Sequence, residues 1–112
     1  MLMPKFKIAA SSEVRLNEMI PVQCDGKKLL LTRTSEGLSV FDRKCTHLGA
    51  DLCKGKIDQG EIVCPWHGAR FDATNGQPRG DAKLLFLRMK VKPLAQYVAS
   101  EADGAVFVDF TN

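Results

Sequence analysis

The sequence predicts an all-β fold, an antiparallel meander with a smaller unit inserted in its middle. Three observations predict it. Apolar residues fall in short alternating runs, turn dipeptides such as Asp25-Gly26 and Asp103-Gly104 separate those runs, and a central stretch interrupts the pattern with closely spaced glycines. In chain order, Phe6-Lys7-Ile8 alternates as a short strand. Ser11-Ser12-Glu13-Val14 predicts one helical turn, capped by Ser11 or Ser12. Pro21-Val22-Gln23-Cys24 reads as a strand, Asp25-Gly26 as a two-residue hairpin turn and Leu29-Leu30-Leu31-Thr32-Arg33 as the return strand. Ser35-Glu36-Gly37 turns the chain into Leu38-Ser39-Val40-Phe41. Within the glycine-rich segment, about 44–83, Glu61-Ile62-Val63 and Arg70-Phe71-Asp72 fit brief strands and Thr74-Asn75-Gly76 a tight turn. The meander then resumes with Leu87-Arg88-Met89-Lys90-Val91, and Asp103-Gly104 closes a last hairpin into Ala105-Val106-Phe107-Val108.

Composition bounds the function. At 112 residues the chain has room for one core, so a single domain over 1–112 is expected. With 45% apolar and 26% charged residues, disordered and collagenous classes are excluded. No apolar run approaches the roughly 20 residues that span a bilayer. Met1-Leu2-Met3-Pro4-Lys5 opens no signal-peptide core, so no membrane partner and a cytoplasmic protein are expected. The net charge of +3 comes from scattered bases, too mild a balance to predict nucleic-acid binding.

The cysteines and histidines carry the chemistry. Cys45-Thr46-His47 and Cys64-Pro65-Trp66-His67 each put a thiolate donor and an imidazole on one short loop, and both loops lie in the insert. Pro65 stiffens the second loop, and Gly49 and Gly68 let the backbone bend close to a bound group. Two sulfurs and two nitrogens suit either one tetrahedral zinc or a [2Fe–2S] cluster with two Cys on one iron and two His on the other. Zinc loops ordinarily separate paired ligands by two to four residues, so Cys-x-His is tight for one ion and the pattern suits the two-centre cluster better. Cys24 is read as a core residue of its strand and Cys53 as a free thiol that is not a ligand.

Cys45-Thr46-His47-Leu48-Gly49-Ala50 and Cys64-Pro65-Trp66-His67-Gly68-Ala69-Arg70-Phe71-Asp72 resemble the two signature boxes of the Rieske [2Fe–2S] family, and the whole chain resembles its small ferredoxins. The resemblance implies an antiparallel β base domain, sandwich- or barrel-like, with a rubredoxin-like cluster-binding subdomain at about 44–83. It implies one [2Fe–2S] cluster per chain, with Cys45 and Cys64 on the buried iron and His47 and His67 on the outer one. It also implies coupling of reduction to ligand deprotonation at high pH. High-potential members have an inter-loop disulfide, a serine donor to sulfide and a tyrosine donor to a cysteine sulfur. The matching positions here are Ala50 and Trp66, Ala69, and Phe71, so a potential near the low end of the Rieske range, around −150 mV, is expected. Trp66 is expected to pack over the cluster and exclude water. Gln77-Pro78-Arg79-Gly80 resembles the proline-containing loop that covers it.

The chain shows neither a dinucleotide nor a Walker fingerprint, and with both histidines committed it has no facial triad. The expectation is therefore an electron carrier rather than an enzyme. Resemblance supplies the transient partners, a flavoprotein reductase as donor and a terminal oxygenase as acceptor. The alternatives are a small Rieske subunit of a larger oxidoreductase, such as a nitrite reductase, and a zinc-binding structural module. From Arg43 to Lys83 seven basic and five acidic side chains give a bias too small to name a partner.

Overall fold

The computed structural model describes residues 5–46, 49–66, 68–80, 82–84, 87–89 and 91–110. Its main sheet has six antiparallel strands: β1 (Lys5–Ala10), β2 (Met19–Cys24), β3 (Lys27–Thr34), β4 (Gly37–Asp42), β11 (Gln96–Ala102) and β12 (Ala105–Asp109). Their order is β1-β12-β11-β4-β3-β2, and the two edges β1 and β2 lie against each other, so the sheet curls nearly closed. The insert folds as a four-stranded sheet of β5 (Lys56–Asp58), β6 (Glu61–Val63), β7 (Arg70–Asp72) and β8 (Pro78–Gly80). A two-stranded ribbon of β9 (Ala82–Leu84) and β10 (Leu87–Met89) follows. No helix among the described residues is long and apolar enough to cross a membrane.

Local chemistry explains the hairpins. Asp25-Gly26, Gln59-Gly60 and Asp103-Gly104 each hold two successive residues at φ between 51° and 78°, the type I′ geometry whose twist matches the flanking strands. The predicted helical turn is a 3-10 turn over Ser11–Glu13 that starts from Ala10, with no serine side chain capping it. The Glu13 carboxylate takes that role instead, accepting the Ala10 N–H at 2.8 Å. Pro78–Gly80 differs from the expected covering loop. It pairs with β7 as an edge strand, where proline at the first position costs the ladder no essential N–H.

The side-chain period of two divides the interior into two cores across one wall. Leu29 and Leu31 of β3 point into the curled sheet with Val40, Val106 and Val108, while Leu30 between them points out. Phe41 of β4 likewise faces outward, next to the inward Val40. Leu30 and Phe41 thus give the insert an apolar floor, onto which Leu52, Ile62, Phe71, Ala73 and Leu94 pack with Cys45 and Cys64. Arg33 stitches the curl shut. Its guanidinium donates to the carbonyls of Val14 at 3.0 Å and Ser11 at 3.3 Å, and to Glu101 at 2.9 Å.

Candidate metal centre

Two loops of the same length rise from the second core. The first is rooted by an antiparallel bridge between Lys44 and Asp51, and the Cys45 N–H donates to the Ala50 carbonyl at 2.8 Å. The second is rooted by the β6–β7 pair Val63 and Arg70, and the Cys64 N–H donates to the Ala69 carbonyl, also at 2.8 Å. Each loop therefore runs cysteine to alanine over six residues with the same pinch at its neck. The fifth residue of each is a glycine in the left-handed region, Gly49 at φ 77° and Gly68 at φ 70°. Ala50 and Ala69 are both buried. The Cys-x-His and Cys-x-x-His spacings hide this duplication. The signal that reveals it is Cys-x-x-x-Gly-Ala, present in both loops.

The necks are braced from outside. Thr46 donates its hydroxyl to the Lys92 carbonyl at 2.7 Å, tying the first loop to the returning chain. Arg70 donates to Glu61 at 2.5 Å and to Asp58 at 2.8 Å, locking β7 to the β5–β6 hairpin that carries Cys64. Gly55 lets the 3-10 turn Leu52–Lys54 end against β6: a Cβ there would stand 1.9 Å from the Val63 carbonyl oxygen.

Cys45 and Cys64 are both 3% exposed, and their side chains are within hydrogen-bonding reach of each other. Burial first, and then the neighbouring Cys45, pushes the Cys64 thiol up to about 11, against the opposing pull of the Trp66 backbone N–H. Two thiols facing each other in an apolar pocket are good metal ligands, because a metal compensates the thiolate charge where water cannot. The donor set thus fits an iron–sulfur group. Of the four sequence-predicted ligands, the two cysteines are brought together, and His47 and His67 lie outside the described residues. Cys53 sits on the 3-10 turn, half-buried against the same core, with its thiol raised to about 11 chiefly by burial. Cys24 ends β2, packed at the margin of the inner core. Ala69 and Phe71 are fully buried and bring no hydroxyl to the pocket. Trp66 is 51% exposed, at the outer end of the second loop.

Residues 4–85 match the family model for the Rieske [2Fe-2S] domain, and that domain carries a [2Fe–2S] cluster. Human apoptosis-inducing factor 3 is 37% identical over 59 residues, 53% of this chain and 10% of that protein. The chain spans 10%, 19% and 24% of the lengths of three curated relatives that it matches. A chain in the complex of reduced oxygenase and oxidized ferredoxin in carbazole 1,9a-dioxygenase superposes with a TM-score of 0.79 at 25% identity, covering 92% of this chain and 99% of that one. The Sphingomonas yanoikuyae B1 ferredoxin superposes with a TM-score of 0.77 at 28% identity, covering 96% and 100%. Paired cysteine loops on a curled antiparallel sheet, together with the family match over most of the length, show that the chain belongs to the Rieske [2Fe–2S] domain family.

Proposed function

We propose that this chain is a one-electron carrier, its cluster held by Cys45 and Cys64 on one iron and by His47 and His67 on the other. The observation that carries the reading is the duplicated six-residue loop, which sets two buried thiols face to face at matched necks. When bound, the cluster supplies reversible one-electron chemistry, and neutral imidazoles make it less negative than a four-thiolate centre. The chain's own residues do the rest. Leu52, Ile62 and Phe71 keep water from the thiolate side, and the Trp66 N–H donates to the Cys64 sulfur. Thr46, Gly49, Pro65, Trp66 and Gly68 are exposed and form the rim that a partner would approach.

In this reading residues 1–112 form one Rieske domain with the cluster-binding unit nested at about 44–83. It works in the cytoplasm, taking electrons from a flavoprotein reductase and passing them to a terminal oxygenase. Support comes from the near end-to-end superposition on two ferredoxin-sized chains, one of them in a complex with an oxygenase. A second reading is favoured by the curated relatives, which are several times longer than this chain: the domain serves as the Rieske module of a larger oxidoreductase. Anaerobic protein is expected to contain two irons and two sulfides per chain and to give a rhombic paramagnetic signal after dithionite reduction. Substituting Cys45, His47, Cys64 or His67 should abolish that signal, while Cys24→Ser and Cys53→Ser should keep it. Colourless protein holding a single zinc would overturn both readings. Tight co-purification with one large subunit would favour the second.

A further inference from the structure

The chain's positive charge is unevenly compensated. Arg33 is neutralised by Glu101, Arg70 by Asp58 and Glu61, and Arg79 by Asp72. Among the described residues the ion pairs are made by arginines and none by a lysine, and three lysines, Lys27, Lys28 and Lys44, converge on the flank where the β2–β3 hairpin meets the first cysteine loop. Two hollows of about 330 and about 130 Å³ open there. Lys27, Lys28, Lys44 and Asp42 line the first, and Lys28, Arg43, Lys44, Gly49 and Asp51 the second, so Lys28 and Lys44 border both. Four cations face two carboxylates, and both carboxylates are already engaged. Asp42 accepts the Tyr97 hydroxyl at 2.7 Å, and Asp51 accepts the Cys53 N–H at 2.9 Å with Arg43 4.0 Å away. Asp25, at the hairpin turn, lines neither hollow. Among the described residues, no carboxylate lies within ion-pair distance of the exposed Lys27, Lys28 or Lys44.

The patch is held on rigid supports. The Arg43 N–H donates to the Lys28 carbonyl at 3.1 Å, and the Lys27 ammonium stands over the Tyr97 and Phe110 rings at 5.7 and 5.9 Å. It is also continuous with the candidate metal centre, because Gly49 belongs to the first cysteine loop. The charge count over 43–83 misses it, since Lys27 and Lys28 come from a different hairpin.

We propose that this flank is the electrostatic part of the carrier's docking surface, and that it fits a redox protein presenting carboxylates beside its own electron-transfer site. The proposal rests on the carrier reading and gives the partner its chemistry. Solvated lysines steer encounter and orient the partner while contributing little that slows release, which is what a shuttle needs. No lining residue is aromatic, so the hollows offer no platform for stacking a nucleic-acid base.

The test compares reduced holoprotein with Lys27→Glu/Lys28→Glu and with Lys5→Glu/Lys7→Glu, which makes the same change in net charge on exposed positions of β1. Neither pair adjoins a proposed ligand. Reoxidation by hexacyanoferrate(III), an anion, is followed by stopped flow across ionic strength. The wild-type rate should fall as salt rises, and the Lys27/Lys28 variant should be about three- to tenfold slower at low salt with a flattened salt slope. The β1 variant should lose less than half that effect. Equal losses in both variants, or a wild-type rate indifferent to salt, would overturn the proposal. Titration of the folded protein with a glutamate decapeptide, followed by amide chemical shifts, reads the patch without any redox step. Shifts clustered at Lys28, Lys44 and Gly49 support it. Shifts spread over the surface, or tighter binding of a DNA decamer of equal charge, sink the carboxylate assignment. A protein that holds no cluster yet binds the peptide at this flank would fail as a carrier while keeping the cationic docking site.

Discussion

At the scale of single residues, the pocket is notable for what its side chains lack. Ala69 is fully buried beside the thiols and donates nothing. Ala69→Ser should add a donor that favours the more negative, reduced state. About 1 kcal/mol of such preference raises a one-electron potential by roughly 40 mV. A redox titration checks both this shift and the low starting value, around −150 mV. Asp72 sets an acid limit. Thr74 hydrogen-bonds its carboxyl at 2.5 and 2.8 Å and Arg79 at 2.7 Å, and these bonds hold it down at about 2. A folded value below the unfolded one, about 3.9, stabilises the protein above pH ~4 and loses that contribution as pH falls toward ~2. Asp72→Asn should flatten the dependence of Tm on pH across that window. The cysteines were legible at this scale, because their joint spacing with histidine is chemically specific. The matched length of the two loops was not, because the histidine stands at a different offset from the cysteine in each, and only the shared Gly-Ala end reveals it.

At the scale of elements, the turns carried the most information. Asp25-Gly26 and Asp103-Gly104 announce type I′ hairpins through residues that tolerate positive φ. Gln59-Gly60 makes the same turn without that advertisement, so β5 goes unread in the sequence. The run Leu29-Leu30-Leu31 identifies a strand, and the structure covers both of its faces, which an unbroken apolar run permits. Pro78 was misleading because the resemblance assigns it to a covering loop, whereas an edge strand tolerates proline at its first position. Gly55 offers a direct test of how the insert is fitted. A Cβ 1.9 Å from the Val63 oxygen forces the 3-10 turn and β6 apart, so Gly55→Ala should cost about 2 kcal/mol and lower cluster occupancy. Chemical denaturation and iron content measure the two effects.

At the scale of the whole molecule, closure of the curl depends on few groups. Arg33 is the donor for two connector carbonyls as well as Glu101. Arg33→Met should lower stability by about 2 kcal/mol, through carbonyls left without a partner. Glu101→Gln should cost under about 1 kcal/mol, the ordinary worth of a solvent-accessible ion pair. Two cores on opposite sides of β3 and β4 also predict how the apoprotein behaves. After the metal is stripped, hydrogen exchange should accelerate at Leu52, Ile62, Cys64 and Phe71, while Leu31, Val40, Val106 and Val108 stay protected. Uniform loss of protection would show that the halves melt as one. Retained protection on one side alone would make the shared wall a bulkhead. If that partition holds, damage to the sulfur-bearing compartment should leave the curled sheet intact as the berth for a fresh cargo of iron.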